Sequence, residues 1–405
     1  MQPLRVIVAG GGAAGFFAAI ACAGRNPAAR VTICEATARA LAKVRIAGGG
    51  RCNLTHACFD PEALARHYPR GGRELRGSFH RWGPRDTVAW FEGRGVALKT
   101  EADGRMFPVT DDSATVVDCL LRAARAAGVA LRTRCGLRAA RPGFAVTFTT
   151  GETEPCDRLL LATGGGAAGG GLEVARALGH AIEPPVPSLF TFHVDDPRLT
   201  DLAGVSVGDA DVAVPAARLR ERGPLLITHW GLSGPAILKL SAWGARPLHD
   251  CGYHFGLVVN WVAPQGAGEV LAGLMRLRAE WPRRQVAARA PFNLPQRLWE
   301  RLTAAAGVAA ATPWTSVSNE MLRALTAQLA QGSFAVTGKS LFKDEFVTCG
   351  GVRLAEVDFR TMASRRCPGL YLAGEILDLD GLTGGFNLQS AWTTGWLAGR
   401  AMAEA

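Results

Sequence analysis

The sequence predicts an α/β fold in which the first and last stretches form one split domain, with a β-rich insert and a small helical domain between them. Three observations carry this. A short apolar strand opens the chain and runs at once into a glycine-rich turn and a small-residue helix. The middle of the chain alternates in polarity and then changes to a helical period. A strand, an acidic loop and a glycine-led helix return at the end.

Leu4 to Ala9 is a β-branched, apolar run suited to a buried parallel strand. Gly10-Gly11-Gly12-Ala13-Ala14-Gly15 follows, and Phe16 to Ala23 continues as a helix. Val31 to Cys34 is a second strand, ending in Glu35, which stands 20 residues after Gly15. In such a β-α-β unit Gly10 makes the tight turn, Gly12 lets backbone approach a pyrophosphate, and Gly15 lets helix pack on strand. The first turn, with Ala13 and Ala14, turns free N–H groups and the positive end of the helix dipole toward phosphates. Glu35 is placed to accept hydrogen bonds from an adenosine ribose and repels a 2′-phosphate. The domain is therefore Rossmann-like.

The chain has 405 residues, 48% hydrophobic and 20% charged, enough for two or three domains and wrong for a disordered protein. The apolar run Val6 to Ala23 is interrupted by Gly10, Gly11, Gly12 and Gly15. It reads as strand, turn and helix instead of a leader or membrane span, so a cytoplasmic protein with no membrane partner is expected. The ten cysteines include no C-x-x-C; Cys52 and Cys58 are the closest pair, which excludes a dithiol redox motif and suggests no metal. Reduced, mostly buried thiols are expected. Nothing in the sequence bears on oligomeric state.

Net charge is +10, and only five of the 45 basic residues are lysines. Arginines cluster between Arg66 and Arg85, and again between Arg276 and Arg301. Trp82, Trp281 and Trp299 are interleaved with them. Clustered arginine fits a polyanion, structured RNA among them, with arginines on phosphates and the interleaved indoles stacked on splayed bases; arginine-rich composition alone also produces such clusters.

A second glycine run, Ala162-Thr163-Gly164-Gly165-Gly166-Ala167-Ala168-Gly169, follows the strand Leu159 to Leu161. Glu183 comes too early and Asp195 too late to complete a second nucleotide fold. Thr163, Gly164 and Gly165 instead look like the strand-end motif of flavoproteins of the two-dinucleotide-domain type. Segments Leu189 to Val194, Val205 to Val214, Leu225 to Thr228 and Phe255 to Val262 read as the strands of the insert, residues 188–265. Leucines at helical spacing, interrupted by Pro282, Pro291 and Pro295, define a helical domain over 266–339. The split domain then comprises 1–187 and 340–405.

In that last stretch Leu370 to Ala373 is a strand, Gly374, Glu375 and Asp378 lie in the loop after it, and Phe386 to Ala403 is a helix. Two nucleotide-handling elements at opposite ends of the chain suit a long cofactor. NAD needs one fingerprint, whereas FAD crosses the sheet and is held at its far end. Glu375 and Asp378 suit its hydroxyl groups. Gly385, Phe386, Asn387 and Leu388 would turn a helix start toward the flavin N1/O2 edge. Noncovalent FAD is the expected cofactor.

The segments Gly48-Gly49-Gly50-Arg51-Cys52-Asn53-Leu54-Thr55, Thr228 to Pro235, Val347 to Val352 and Leu370 to Trp392 carry a resemblance over nearly the whole chain. They resemble the family of NAD(P)/FAD-dependent oxidoreductases that includes bacterial bile-acid ene-reductases and a large-subunit ribosomal RNA dihydrouridine synthase. The chain departs from the usual pattern at Cys349, at Phe386 and in the run Lys43-Val44-Arg45-Ile46-Ala47. The resemblance implies a β-barrel-like insert, reduction of an electron-poor C=C bond by reduced flavin, and NAD(P)H as electron donor.

Such chemistry needs a proton donor. Cys52, in the motif expected to skirt the cofactor, and His229 are the catalytic candidates, with Cys52 slightly preferred; each also suits a structural role. Arg51 and Asn53 suit pyrophosphate or isoalloxazine contacts. Ser233 lacks a nucleophile elbow, which excludes a hydrolase of that type. Three functions fit: reduction of a uridine C5=C6 bond in structured RNA, which is favoured, reduction of a small apolar steroid-like or bile-acid-like enone, and an FAD-stabilised RNA-binding factor without turnover.

Overall fold

The computed structural model describes residues 2–166, 170–340 and 347–404. The end of the second glycine run and the expected restart of the split domain near residue 340 fall partly outside these. The chain divides into two compact units, residues 1–187 with 343–405, and residues 188–342.

The first unit is organised by a parallel sheet. Its strands are β1 (Arg5–Ala9), β2 (Arg30–Cys34), β3 (Ala130–Arg132), β4 (Arg158–Leu161) and β5 (Leu370–Leu372). They lie in the order β3-β2-β1-β4-β5, which an antiparallel pair, Ala363–Ser364 and Val357–Asp358, extends beyond β5. Ala9 is level with Cys34 on one side and Leu161 on the other. The central strands are apolar because helices cover both faces of such a sheet; Val6, Val8, Ile33 and Leu159 to Leu161 are buried.

Helix α1 (Ala13–Arg25) follows β1, and helix α2 (Phe386–Ala403) follows β5. The two helices meet through small residues. A methyl group added to Gly395 would lie 2.5 Å from the Ala14 carbonyl oxygen, and one added to Gly399 would lie 2.2 Å from that of Ala18. Backbones this close admit only glycine.

The two chain stretches of this unit are also clasped by side chains. Buried His180 stands 2.9 Å from Glu356 and 2.8 Å from Ser364. Burial pushes its imidazole below the usual range, against the pull of Glu356.

The second unit carries a seven-stranded antiparallel sheet, in the order Gly332–Val336, Phe255–Asn260, Ser206–Val214, Leu219–Thr228, Gly231–Ser233, Thr191–His193, Gly338–Ser340. Its two edge strands are neighbours in sequence, separated by Thr337 alone, so the sheet curls like an incompletely closed barrel. The helices Ala267–Glu280, Gln296–Ala305 and Asn319–Ala330 were expected to form a domain of their own. They do not: Leu274, Leu298, Leu302, Leu325, Trp299 and Trp314 share one buried cluster with Val212, Ile227, Leu257 and Val259 of the sheet. The leucine period builds one face per helix, and that face is buried on the sheet.

Among the described residues no helix is long and apolar enough to cross a membrane. All ten cysteines are free thiols, and nine of them are buried or half-buried.

Candidate functional site

Parallel strands place their carboxyl ends along one edge, and ligands of such sheets bind where the strand order reverses, here between β1 and β4. The turn Gly10–Gly15 leaves β1 at this edge, Glu35 leaves β2, Thr163 to Gly165 leave β4, and Gly374, Glu375 and Asp378 leave β5. The sheet thus brings together the residues that the sequence scattered over the chain.

The turn is close-packed at both ends and open in the middle. Gly10 has φ +113°, and a methyl there would meet the Ala162 carbonyl oxygen at 2.2 Å. A methyl on Gly15 would meet the Gly10 carbonyl oxygen at 2.0 Å. One on Gly12 would meet no atom within 4 Å. Gly12 caps α1 without a side-chain hydrogen bond, and the first turn of α1 holds no acid. The N–H groups there lack the side-chain oxygen that ordinarily satisfies a helix start, the arrangement of an anion site.

Glu35 is tied down by its own neighbourhood. Oε2 accepts from the Gly11 N–H at 2.8 Å, and Oε1 accepts from the Thr37 N–H and O–H, each at 2.8 Å. This fixes the carboxylate beside the glycine turn and leaves lone pairs for a hydroxyl. At the tip of β4 the Thr163 hydroxyl is buried and has no hydrogen-bond partner among the described residues. An orphaned hydroxyl costs free energy unless a ligand or water satisfies it. Glu375 accepts from Lys43 Nζ at 2.6 Å. Lys43 was not among the expected site residues.

The motif 48–55 does something different from what its sequence suggested. Arg51 is engaged within the protein: Glu101 accepts from it at 2.7 Å, Asp111 lies 3.5 Å away, and the guanidinium stacks 3.9 Å from the Phe107 ring centre. Asn53, with its amide oriented to satisfy both ends, accepts from the Gly385 N–H at 3.0 Å and donates to the Thr55 carbonyl at 3.1 Å. Thr55 donates to Gln389 at 2.6 Å, Gln389 donates to Thr393 at 3.1 Å, and Trp392 Nε1 donates to the Leu54 carbonyl at 3.0 Å. The motif is thus a bracket for the start of α2.

Asn387 is likewise turned inward, closing the loop through Gly381 N–H and C=O, both at 2.8 Å. Phe386 is buried, with the rings of His67 and His56 stacked on it at 4.3 and 4.7 Å. Leu388 is half-buried in the first turn of α2.

Cys52 has no exposed surface, a left-handed backbone (φ +62°), and a thiol that burial pushes up to about 12. That is the setting of a packed interior thiol, and poorly matched to a proton donor working near neutrality. His229 is exposed at the turn between the strands Leu219–Thr228 and Gly231–Ser233 of the second unit. The two catalytic candidates therefore belong to different units. Trp82 and Trp299 are buried, so neither stacks on a splayed base as their spacing among arginines had suggested. Among the described residues no three His, Cys, Asp or Glu side chains converge as metal ligands do.

The strand order and the open helix start define a Rossmann-fold protein. Residues 4–401 match the model of the HI0933-like protein Rossmann domain, and the chain belongs to that family. It is 31% identical to a protein of Clostridium scindens named 3-dehydro-bile acid Δ(4,6)-reductase, over 99% of both chains. It is also 31% identical to the ribosomal RNA dihydrouridine synthase of Escherichia coli, over 98% of this chain and 97% of that one. Among solved structures it resembles in fold the 3-ketosteroid-Δ4-(5α)-dehydrogenase of Rhodococcus jostii, with TM-score 0.51, 15% identity, and coverage of 100% and 98%.

Proposed function

We propose that the protein is an FAD-dependent reductase of an activated C=C bond, with uridine in ribosomal RNA as its substrate and NAD(P)H as electron donor. The observation that carries the cofactor reading is the open, uncapped start of α1 at Gly12, at the reversal of strand order. It fits a pyrophosphate held by the first-turn N–H groups of Gly12, Ala13 and Ala14. Glu35 would take the adenosine ribose, and the Thr163 hydroxyl finds in the cofactor the partner it lacks in the protein. The start of α2, at Gly385 to Leu388, supplies a second dipole end. Bound FAD would supply hydride transfer.

Side chains must orient the substrate and hold its proton. A proton donor is recharged from water, which the burial of Cys52 opposes; exposed His229 is the candidate that remains. His229→Ala should slow oxidation of the reduced enzyme by substrate about 10²-fold or more. Cys52→Ala should change that rate little.

RNA is favoured by the kinship with a dihydrouridine synthase together with the acid-free arginine segment of the second unit. The test is mass spectrometry of ribosomal RNA nucleosides from a deletion strain, where dihydrouridine is expected to fall; an unchanged level overturns the substrate. Heat-released cofactor should be FAD, and FMN would overturn that assignment. Kinship with a bile-acid reductase supports a second reading, reduction of a steroid-like enone. Stopped-flow mixing of reduced enzyme with a panel of enones distinguishes it.

A further inference from the structure

The two arginine clusters fare differently once folded. In the first, Arg70 is paired with buried Asp380, Arg76 faces Glu62, Arg81 donates to the Arg360 carbonyl, and Arg85 lies over Phe59. Arg66, Arg73 and Arg85 make no ion pair with a described residue. In the second, no Asp or Glu occurs between Trp281 and Trp299, while Arg283, Arg284, Arg289 and Arg297 do. Arg297 donates to the Asp201 carbonyl, and Arg278 is taken by Val317 and Asn319. Arg276, Arg283, Arg284 and Arg289 are exposed, and none makes an ion pair with a described residue. Arg284 and Arg289 converge on half-buried Trp281, with guanidinium carbons 4.8 and 5.2 Å from its ring centre. Arg276 sits one helix turn before the end of its helix, its guanidinium reaching back past Gly273, beside which the Phe292 ring packs.

We infer that this patch, the end of the helix Ala267–Glu280 and the loop 281–289, is a phosphate-contacting surface for RNA. The inference rests on the ribosomal RNA reading above and adds the place where the strand is gripped. Four exposed guanidinium groups stand here against the single carboxylate of Glu280, a net positive charge that raises the local potential and attracts polyanions. The Trp281 indole pre-orients two of them, so less side-chain freedom is lost on binding. Arg276, Arg283, Arg284 and Arg289 would hold phosphates without reading bases.

The test uses the full-length protein with its cofactor and a fluorescein-labelled 30-nucleotide RNA hairpin, titrated by anisotropy from 50 to 300 mM KCl. Wild type should bind with a steep salt dependence. Replacing Arg276, Arg283, Arg284 and Arg289 together by Ala should weaken binding at least tenfold at 100 mM KCl. It should also lower the slope of log K against log salt by about 3, at 0.7 to 0.9 per phosphate contact. Flavin absorbance and melting temperature should not move, since the four side chains are exposed. Arg66→Ala with Arg73→Ala is the matched control and should leave the slope unchanged.

A wild-type slope in the fourfold variant, or an equal loss in the control, overturns the patch. The deletion-strain measurement separates this from the substrate reading. Dihydrouridine lost on deletion with a wild-type slope in the variant sinks the patch alone. Dihydrouridine kept on deletion with the slope lost sinks the uridine reading and leaves the patch standing.

Discussion

At the start of α1 a methyl group on Gly12 would meet no atom within 4 Å, whereas at the start of α2 a methyl on Gly385 would stand 2.5 Å from the Thr55 carbonyl oxygen. Both helices begin on glycine, and both lie in the unit that the Rossmann sheet organises. The first keeps its opening clear, with the Glu35 carboxylate held beside it by the Gly11 N–H. The second is bracketed: Gly385 is held at φ +94° while Asn53, Thr55 and Gln389 pin the segment around it. One start leaves space, the other fixes backbone position.

Substitutions can separate these two designs. The largest loss of stability is expected from Gly15→Ala, whose methyl would lie 2.0 Å from the Gly10 carbonyl oxygen. It should cost about 3 kcal/mol in urea unfolding, because neither backbone can yield without parting helix from strand. Gly385→Ala combines a left-handed backbone with a clash at Thr55 and should cost about 2 kcal/mol. A stable Gly385→Ala variant with full cofactor content would show that the bracket is dispensable.

Gln389→Leu leaves the buried Thr55 hydroxyl without its acceptor and should cost about 1 to 2 kcal/mol. The same measurement on a Gln389→Leu, Thr55→Val pair should recover part of that loss. Gly12→Ala is expected to change apoprotein stability by less than about 0.5 kcal/mol, as an unhindered surface change does. It should nevertheless weaken FAD binding at least tenfold by equilibrium dialysis. Wild-type FAD affinity in that variant would erase the distinction between the two helix starts.

The same contrast explains what could be read in advance. The strands at Arg5–Ala9 and Arg30–Cys34, the turn between Gly10 and Gly15, and Glu35 obey a local spacing, so the β-α-β unit was visible within thirty-odd residues. The span Phe386–Ala403 was equally legible from its small-residue helical pattern. The roles of Arg51 and Asn53 were not, because Glu101, Phe107 and Gly385 lie far along the chain and nothing in the motif names them. The helical stretch looked like a domain because its leucine period is strong, but a period shows that a face is buried and not against what. Trp82 and Trp299 misled for the same reason: arginine spacing along the chain does not show which way an indole points.

The packing of α2 on α1 sets an order of events during synthesis. Strand β1 and helix α1 leave the ribosome first, yet the face of α1 formed by Ala14 and Ala18 packs against Gly395 and Gly399, made about 380 residues later. Residues 188–342, one contiguous segment with its own core, can collapse while the last sixty residues are still being made. The unit that begins the chain is therefore the later one to finish. Its exposed α1 surface must be sheltered until translation ends, and a nascent chain stalled before Phe386 would carry a folded insert on an unfinished sheet.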